Sequence, residues 1–129
     1  MRHPFIALVV LAAAPTASGA GGHQATAPVR VVHIVAERFS FTPARVTIDQ
    51  GSALELRIAS DDTSHGFKLT GPQAIDIEIP KRGRGEARVM FDAAQAGIYV
   101  FECSRVCGAG HGFMRGVIEV KPRTTEPQR

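Results

Sequence analysis

The sequence predicts an all-β fold: a single-domain, Greek-key antiparallel β-sandwich. Three observations lead to this prediction. Runs of about five to eight residues alternate apolar and polar side chains, Gly and Pro separate these runs, and no stretch has a helical stripe of apolar residues. About seven or eight such strands in a hundred residues are typical of two packed sheets. The 129 residues of the chain are enough for one domain of this kind and too few for two.

The predicted strands follow one another along most of the chain. Alternating apolar positions define each of them, for example Val46 and Ile48 in the third segment. The second segment, ERFSFTP, is expected to be extended, with Phe39 and Phe41 on one side. In chain order the predicted extended segments are 29–36, 37–43, 44–49, 53–60, 66–69, 75–80, 87–91, 97–103 and 115–120.

The first twenty residues read as a secretory signal peptide. Their apolar stretch, residues 5–14, is followed by the small residues Ser18 and Ala20, which suit a signal peptidase. This stretch is about half of the roughly twenty residues that span a bilayer, so we expect cleavage rather than anchoring. The mature chain is then expected to have no membrane span and a periplasmic or secreted location.

One folded domain is predicted between two polar ends. Residues 21–28 are expected to form a flexible lead, and residues 29–121 the domain itself. Residues 122–129 are polar and interrupted by proline, which predicts a disordered tail.

The charge of the mature chain is close to balanced. Removing residues 1–20 leaves 14 Lys and Arg against 12 Asp and Glu, a net charge of +2. Nucleic acids and anionic membranes favour clustered basic charge, so neither is an expected partner. One short basic run, Lys81, Arg82 and Arg84, lies in KRGRG, where the glycines favour a solvated turn.

The densest chemical signal is CSRVCGAGHGFM, residues 103–114. It contains both cysteines of the chain, Cys103 and Cys107, with His111 and Met114 close behind. One predicted strand enters this segment and another leaves it, so we expect a loop at one end of the sandwich with both of its ends held rigidly. Thiolate, imidazole and thioether are donors that copper prefers, and a weak thioether is typical of electron-transfer copper.

His65 in SDDTSHGF is the candidate for a further ligand. It lies between two predicted strands, so it can share the end of the sandwich with the cysteine loop. The residues alone leave two alternatives open. A cysteine pair in an oxidising compartment usually forms a disulfide, and a structural zinc ion would accept a tetrahedral set made of His65, Cys103, Cys107 and His111.

These segments resemble the binuclear copper site, the CuA centre, of cytochrome c oxidase subunit II. The family motif runs C-S-x-x-C-G-x-x-H-x-x-M, and every fixed position is present in residues 103–114. The similarity extends back through SDDTSHGF and FSFTPARVTIDQGSALELRIAS and covers roughly residues 31–120. It implies a cupredoxin-like fold, a Greek-key β-sandwich, in agreement with the predicted strands.

The resemblance implies a role for each donor side chain. Cys103 and Cys107 would bridge two copper ions. His65 and His111 would each bind one copper, and Met114 would be a weak ligand to one of them.

Two further positions follow from the resemblance, and two features depart from it. The backbone carbonyl of Arg105 would be the weak ligand to the second copper, at a place where the family commonly has Glu. Asp62 matches the acidic residue of a D-x-x-H element and is expected to support the loop rather than to bind metal. The two transmembrane helices of subunit II have no counterpart in this sequence, and its tryptophan-containing stretch is missing because the chain has no Trp.

The resemblance implies an exported electron-transfer protein. It would pass single electrons between a c-type cytochrome-like donor and a terminal oxidase or reductase. The alternative is a periplasmic copper chaperone or storage protein that uses the same Cys, His and Met ligands. We do not expect an enzyme activity of the chain alone, because its acidic residues are scattered and no nucleophile–base arrangement is present.

Overall fold

Residues 28–124, the part of the chain that the computed structural model describes, form nine strands and one short 3-10 turn. The predicted signal peptide, residues 21–27 of the predicted lead and residues 125–129 of the predicted tail lie outside the described residues. No helix within residues 28–124 is long and apolar enough to cross a membrane. The elements are β1 (Val29–Glu37), β2 (Ser40–Thr42), β3 (Arg45–Asp49), β4 (Ala53–Ser60), β5 (His65–Leu69), β6 (Ile75–Ile79), β7 (Glu86–Asp92), β8 (Gly97–Glu102), the 3-10 turn η1 (His111–Phe113) and β9 (Arg115–Lys121).

The strands form two sheets, which confirms the predicted all-β sandwich. The four-stranded sheet has the order β2-β1-β4-β7, and the five-stranded sheet has the order β3-β9-β8-β5-β6. The pairing is mixed: β1 runs parallel to β4, β3 runs parallel to β9, and the other pairs are antiparallel. Parallel neighbours cannot be joined by a tight hairpin. The chain therefore crosses between the sheets, as it does from β2 to β3 and from β3 to β4.

The predicted alternation of side chains builds the core between the sheets. In β4 every second residue is buried, and Leu54, Leu56 and Ile58 have no exposed surface. Successive side chains of a strand point to opposite faces, so such a pattern buries one face only. Burial of each of these side chains contributes about 1.5–3 kcal/mol.

Three phenylalanines lie in the core directly beneath the two sequence motifs. The ring centroid of Phe101 is 5.1 Å from that of Phe67 and 5.2 Å from that of Phe41. Phe67 comes two residues after His65, and Phe101 comes two residues before Cys103. Residues two apart in a strand share a face, so burial of these rings turns His65 and Cys103 toward the interior as well.

The structure corrects two local predictions. His65 is the first residue of β5, where it pairs with Ile79, and does not lie in the preceding turn. Phe39 lies in the two-residue turn between β1 and β2 and is partly exposed, whereas Phe41 is buried in β2. Phe39 and Phe41 therefore do not share one side of an extended segment.

Four loops meet at one end of the sandwich, which we call the site end: 38–39, 61–64, 80–85 and 103–114. Hydrogen bonds join them. The N–H of Arg82 donates to the carbonyl of Asp62 (3.1 Å), and the N–H of Arg38 donates to Oδ2 of Asp62 (2.9 Å). The basic run KRGRG is the exposed turn that the sequence predicts, and it belongs to this end.

Candidate metal centre

A hydrogen bond closes the base of the cysteine loop, residues 103–114, and a turn near its tip directs the chain back toward the base. The N–H of Cys103 donates to the carbonyl of Met114 (2.9 Å), so the two ends of the loop lie side by side. The turn η1 forms because the N–H of Phe113 donates to the carbonyl of Gly110 (3.0 Å) and the N–H of Met114 donates to that of His111 (3.2 Å). The turn before it is closed by the N–H of His111, which donates to the carbonyl of Gly108 (3.1 Å). Gly108 has φ +143°, a conformation that side-chain-bearing residues rarely adopt. The loop therefore returns His111 and Met114 toward the cysteines.

The two thiols form the centre of this arrangement. Cys103 and Cys107 are both buried and unbonded, with their Sγ atoms 3.8 Å apart. Sγ of Cys103 also lies 3.1 Å from the main-chain carbonyl of Arg105. Burial, and then the neighbouring Cys103 sulfur, raise the pKa of Cys107 to about 11. The Cys107 thiol is therefore protonated at neutral pH, and a metal ion must displace this proton in order to bind.

His65 completes a buried group of three donors. One ring nitrogen of His65 and the sulfurs of Cys103 and Cys107 all lie within 4.8 Å of one another. His65 has no exposed surface, and its Nε2 lies 2.7 Å from Oδ1 of Asp62. An ionised carboxylate can only accept hydrogen bonds, so Nε2 of a neutral His65 carries the hydrogen and Nδ1 presents its lone pair. This Nδ1 is buried without any hydrogen-bond partner among the described residues.

Asp62 is held as an anion that orients His65. Burial alone would raise the pKa of its carboxyl, but hydrogen bonds from His65 and from the N–H groups of Arg38 and Thr63 lower the pKa to about 2. The contact with His65 is the outer-shell arrangement that fixes the ring orientation of metal-binding histidines. The hydrogen bonds of Asp62 thus support the loop and orient the ring of His65.

The other two predicted side-chain donors approach from the cysteine loop itself. Nδ1 of His111 and Sδ of Met114 each lie 3.9 Å from Sγ of Cys107. Met114 is buried, whereas His111 is half-buried. The structure therefore gathers all the predicted donors around the two thiols, with His111 at the solvent side.

The donor set fits copper. A buried nitrogen without a hydrogen bond costs about 1–3 kcal/mol, so the position of His65 Nδ1 beside two thiols needs a reason. Coordination of a metal ion gives that reason. Thiolate and thioether are soft ligands that suit copper, and imidazole also binds copper, so two thiols, two imidazoles and a thioether form a set that copper can use.

Two residues that hold the site together were not found from the sequence. Nε of Arg38 donates to the carbonyl of Cys107 (2.7 Å), while the N–H of Arg38 holds Asp62. A Cβ atom added at Gly108 or Gly110 would lie within 3 Å of the Phe39 ring, so the ring lies directly against the loop. Arg38 is 69 positions from Cys107, and a local sequence pattern cannot predict a contact between residues so far apart.

Gly66, the neighbour of His65, allows β5 to approach the cysteine loop closely. A Cβ atom at this position would lie 2.9 Å from the backbone nitrogen of Ser104 and 2.9 Å from that of Arg105. Real Cβ atoms do not come this close to backbone. The absence of a side chain at Gly66 therefore permits the close approach of β5, and with it His65, to the cysteine loop.

Comparison with known sequences agrees with the motif. Residues 27–121 match the family described as "Cytochrome C oxidase subunit II, periplasmic domain". Two Thermus thermophilus proteins named cytochrome c oxidase subunit 2 are each 32% identical to this chain over 90 residues, which is 70% of the chain. The aligned region covers 64% of one relative and 52% of the other, so the chain spans less than two thirds of their length.

Comparison with solved structures finds similar folds in an oxidase chain, a subunit II domain and a blue copper protein. A chain of a haem-copper terminal oxidase dimer superposes with a TM-score of 0.62 at 26% identity, over 73% of this chain and 65% of that one. The periplasmic domain of cytochrome oxidase subunit II from Bradyrhizobium japonicum gives 0.62 at 18% identity, over 71% and 83%. The blue copper protein auracyanin A from Chloroflexus aurantiacus gives 0.57 at 19% identity, over 72% and 99%, and confirms the cupredoxin-like fold. The chain therefore belongs to the family of the periplasmic domain of cytochrome c oxidase subunit II.

Proposed function

We propose that this chain is an extracytoplasmic electron-transfer domain that binds two copper ions in a CuA-type centre. The observation that carries the proposal is the buried thiol pair, 3.8 Å apart, with the unpartnered Nδ1 of His65 beside it. Two sulfurs at this separation are suited to bridge two ions. Cys103 and Cys107 would hold the copper pair, which when bound would supply a one-electron redox couple.

The remaining roles in the proposal follow the donors. His65 and His111 would each hold one copper, Met114 would be a weak ligand to one ion, and the carbonyl of Arg105 would be the weak ligand to the other. The hydrogen bonds that hold the two ends of the cysteine loop would keep the donors in place in both the oxidised and the reduced centre. One electron at a time would leave a ferrous c-type cytochrome, which becomes ferric, and pass on to a terminal oxidase or reductase.

Copper titration of the full chain tests the proposal. We expect two copper ions per chain, together with the absorbance and the electron paramagnetic resonance signal of one unpaired electron shared by two copper nuclei. A single-copper spectrum at saturation, or the absence of copper binding, would remove the proposal.

A copper chaperone or storage protein is the second candidate, and one feature of the site favours it. Cys103, His111 and Met114 line a shallow pocket that opens to solvent. Such an opening gives a partner access to the metal. The two candidates differ in lability: a chaperone loses copper to a chelator within minutes and has no reversible redox couple, whereas the electron-transfer domain retains copper and cycles reversibly.

Replacement of Asp62 by Asn is expected to weaken copper binding about 10–100-fold, the usual effect of losing an outer-shell partner of a histidine ligand. The reason is that the neutral amide oxygen of Asn accepts the hydrogen bond from Nε2 of His65 more weakly than the carboxylate does. Competition with a copper chelator measures the affinity, and thermal unfolding of the copper-free variant verifies the fold. Asp61→Asn is the matched control, because the one ion pair of the Asp61 side chain within residues 28–124 is with Arg82, at 3.4 Å. Equal losses in the two variants would contradict the assigned role of Asp62.

A further inference from the structure

Two neighbouring strands hold the entry segment, which we define as Ser104 and Arg105, the residues after the first cysteine of the loop. β5 lies against its backbone at Gly66, where an added Cβ would lie 2.9 Å from each of the two backbone nitrogens. β6 holds its side chains, since Oγ of Ser104 donates to Oδ1 of Asp76 (2.6 Å). The guanidinium of Arg105 also pairs with Glu78 of this strand (3.7 Å). Both strands therefore restrain the start of the cysteine loop.

The bond between Ser104 and Asp76 is the more specific of the two contacts with β6. Its length is typical of a charge-assisted hydrogen bond from a hydroxyl to a carboxylate, about 2.5–2.7 Å. Asp76 has a cation, Lys68, directly opposite on β5, yet it forms no ion pair within residues 28–124. The pair of Arg105 with Glu78 is longer, and its side chains are 50% and 58% exposed, so it contributes little. Asp76 is therefore the acid of β6 that fixes the entry segment.

The entry segment determines where a main-chain donor points. The carbonyl oxygen of Arg105 lies 3.1 Å from Sγ of Cys103. In the proposed centre this carbonyl would be the weak ligand of one copper. A main-chain donor keeps its oxygen whatever its own side chain is, so its position depends on the backbone torsions of the segment. A residue that fixes the segment therefore acts on the metal site, as outer-shell partners of metal ligands do.

We propose that Asp76 is a positioning residue of the candidate centre, which sets the approach of the Arg105 carbonyl to copper by holding Ser104. This inference rests on the proposed function and adds a residue that regulates the same site. A carbonyl oxygen is a hard donor, whereas thiolate and thioether are soft donors that favour Cu(I). Withdrawal of the carbonyl therefore favours the reduced centre. Loss of the hydrogen bond between Ser104 and Asp76 is thus expected to raise the reduction potential.

Redox titration of the copper-loaded full chain tests this role. Asp76→Ala and Ser104→Ala each remove the hydrogen bond, and we expect each to raise the reduction potential. Because both substitutions remove the same bond, the double variant should shift the potential no further than Ser104→Ala does alone. At an ionic strength of about 1 M the Debye length is about 3 Å, so the lost charge of Asp76 has little effect of its own. Asp92→Ala is the matched control, since it removes a carboxylate at the opposite end of the sandwich.

A second measurement needs no metal. The thiol of Cys103 contacts the entry segment, whereas Arg38 holds the carbonyl of Cys107. In the copper-free chain we expect iodoacetamide to alkylate Cys103 about threefold or more faster in Asp76→Ala and in Ser104→Ala, the effect of losing a partly exposed hydrogen bond. Alkylation of Cys107 should change much less, and mass spectrometry of the digested chain separates the two cysteines. Equal acceleration at both thiols would overturn the assigned role, because it would report a general loosening of the loop.

The two measurements together separate a positioning role from a merely structural one. Faster alkylation of Cys103 with an unchanged potential would overturn the inference, because Asp76 would then only stabilise the loop. Additive shifts from the two single substitutions, or equal effects of Asp76→Ala and Asp92→Ala, would overturn it as well. A chain that takes up no copper pair would remove the proposed function, whereas the alkylation rates would still decide whether Asp76 holds the entry segment.

Discussion

Replacement of Cys107 by Ser is expected to lower the copper content from two ions per chain to one or none. Sγ of Cys107 lies 3.8 Å from the other thiol and 3.9 Å from both His111 and Met114, so it is the donor that the others surround. With a single sulfur left, no pair of thiolates can bridge two ions. Copper analysis of the saturated, desalted protein gives the stoichiometry, and paramagnetic resonance shows whether an electron is still shared.

A second substitution separates this result from misfolding. A serine hydroxyl at a buried position needs a hydrogen-bond partner, and its absence costs about 1–3 kcal/mol. Cys107→Ala removes the sulfur without adding a polar group. Both variants should unfold cooperatively in the copper-free state and lack the two-copper signal. Two copper ions per chain in folded Cys107→Ala would exclude a thiolate bridge at this residue.

Gly66→Ala is expected to disrupt the candidate centre without touching any donor. The added Cβ would lie 2.9 Å from the backbone nitrogens of Ser104 and Arg105, so β5 and the cysteine loop must separate. Forced overpacking of this kind costs about 1–3 kcal/mol of unfolding free energy. Because His65 precedes Gly66, the separation also moves its Nδ1 away from the thiols. We expect a lower midpoint of chemical denaturation and loss of the two-copper spectrum.

Gly112→Ala is the matched control for this prediction. Gly112 belongs to the same loop, has no positive φ, and a Cβ at its position would meet nothing within 4 Å. Its substitution should change stability by less than about 0.5 kcal/mol and leave the spectrum intact. The atom nearest to the added Cβ is the hydroxyl oxygen of Ser104. The double variant Ser104→Ala/Gly66→Ala removes this hydroxyl, so any loss that remains relative to Ser104→Ala alone reports the clash with the backbone. A Gly66→Ala protein with unchanged stability and spectrum would show that the close approach of β5 is unnecessary.

The strands were predictable because burial in a two-sheet sandwich alternates along each strand. Leu54, Leu56 and Ile58 illustrate this, since a period of two is visible in the sequence without knowledge of the partner strand. The pairing was less predictable. The parallel neighbours β1 and β4 are set by tertiary packing, and the period is the same for parallel and antiparallel pairs with one face buried.

The site shows the same division between local and distant information. Its donors were identified because the residues of the cysteine loop are adjacent in sequence and match a spaced motif. The start of β5 was predicted one residue too late, because His65 does not resemble a strand residue; it is extended because it pairs with Ile79. The contact of Arg38 with Cys107 depends on the fold as a whole and cannot be predicted from either local segment of the sequence.

The position of Arg38 also bears on how tightly metal retention is linked to the integrity of the domain. Arg38 follows β1 in the four-stranded sheet, whereas the cysteine loop joins two strands of the five-stranded sheet. One residue thus ties the two layers together at the candidate centre, through Asp62 on one side and the carbonyl of Cys107 on the other. Separation of the two layers at this end would break the hydrogen bond from Arg38 to Cys107, so partial unfolding that parts the sheets is expected to release the cysteine loop from its position beside Asp62.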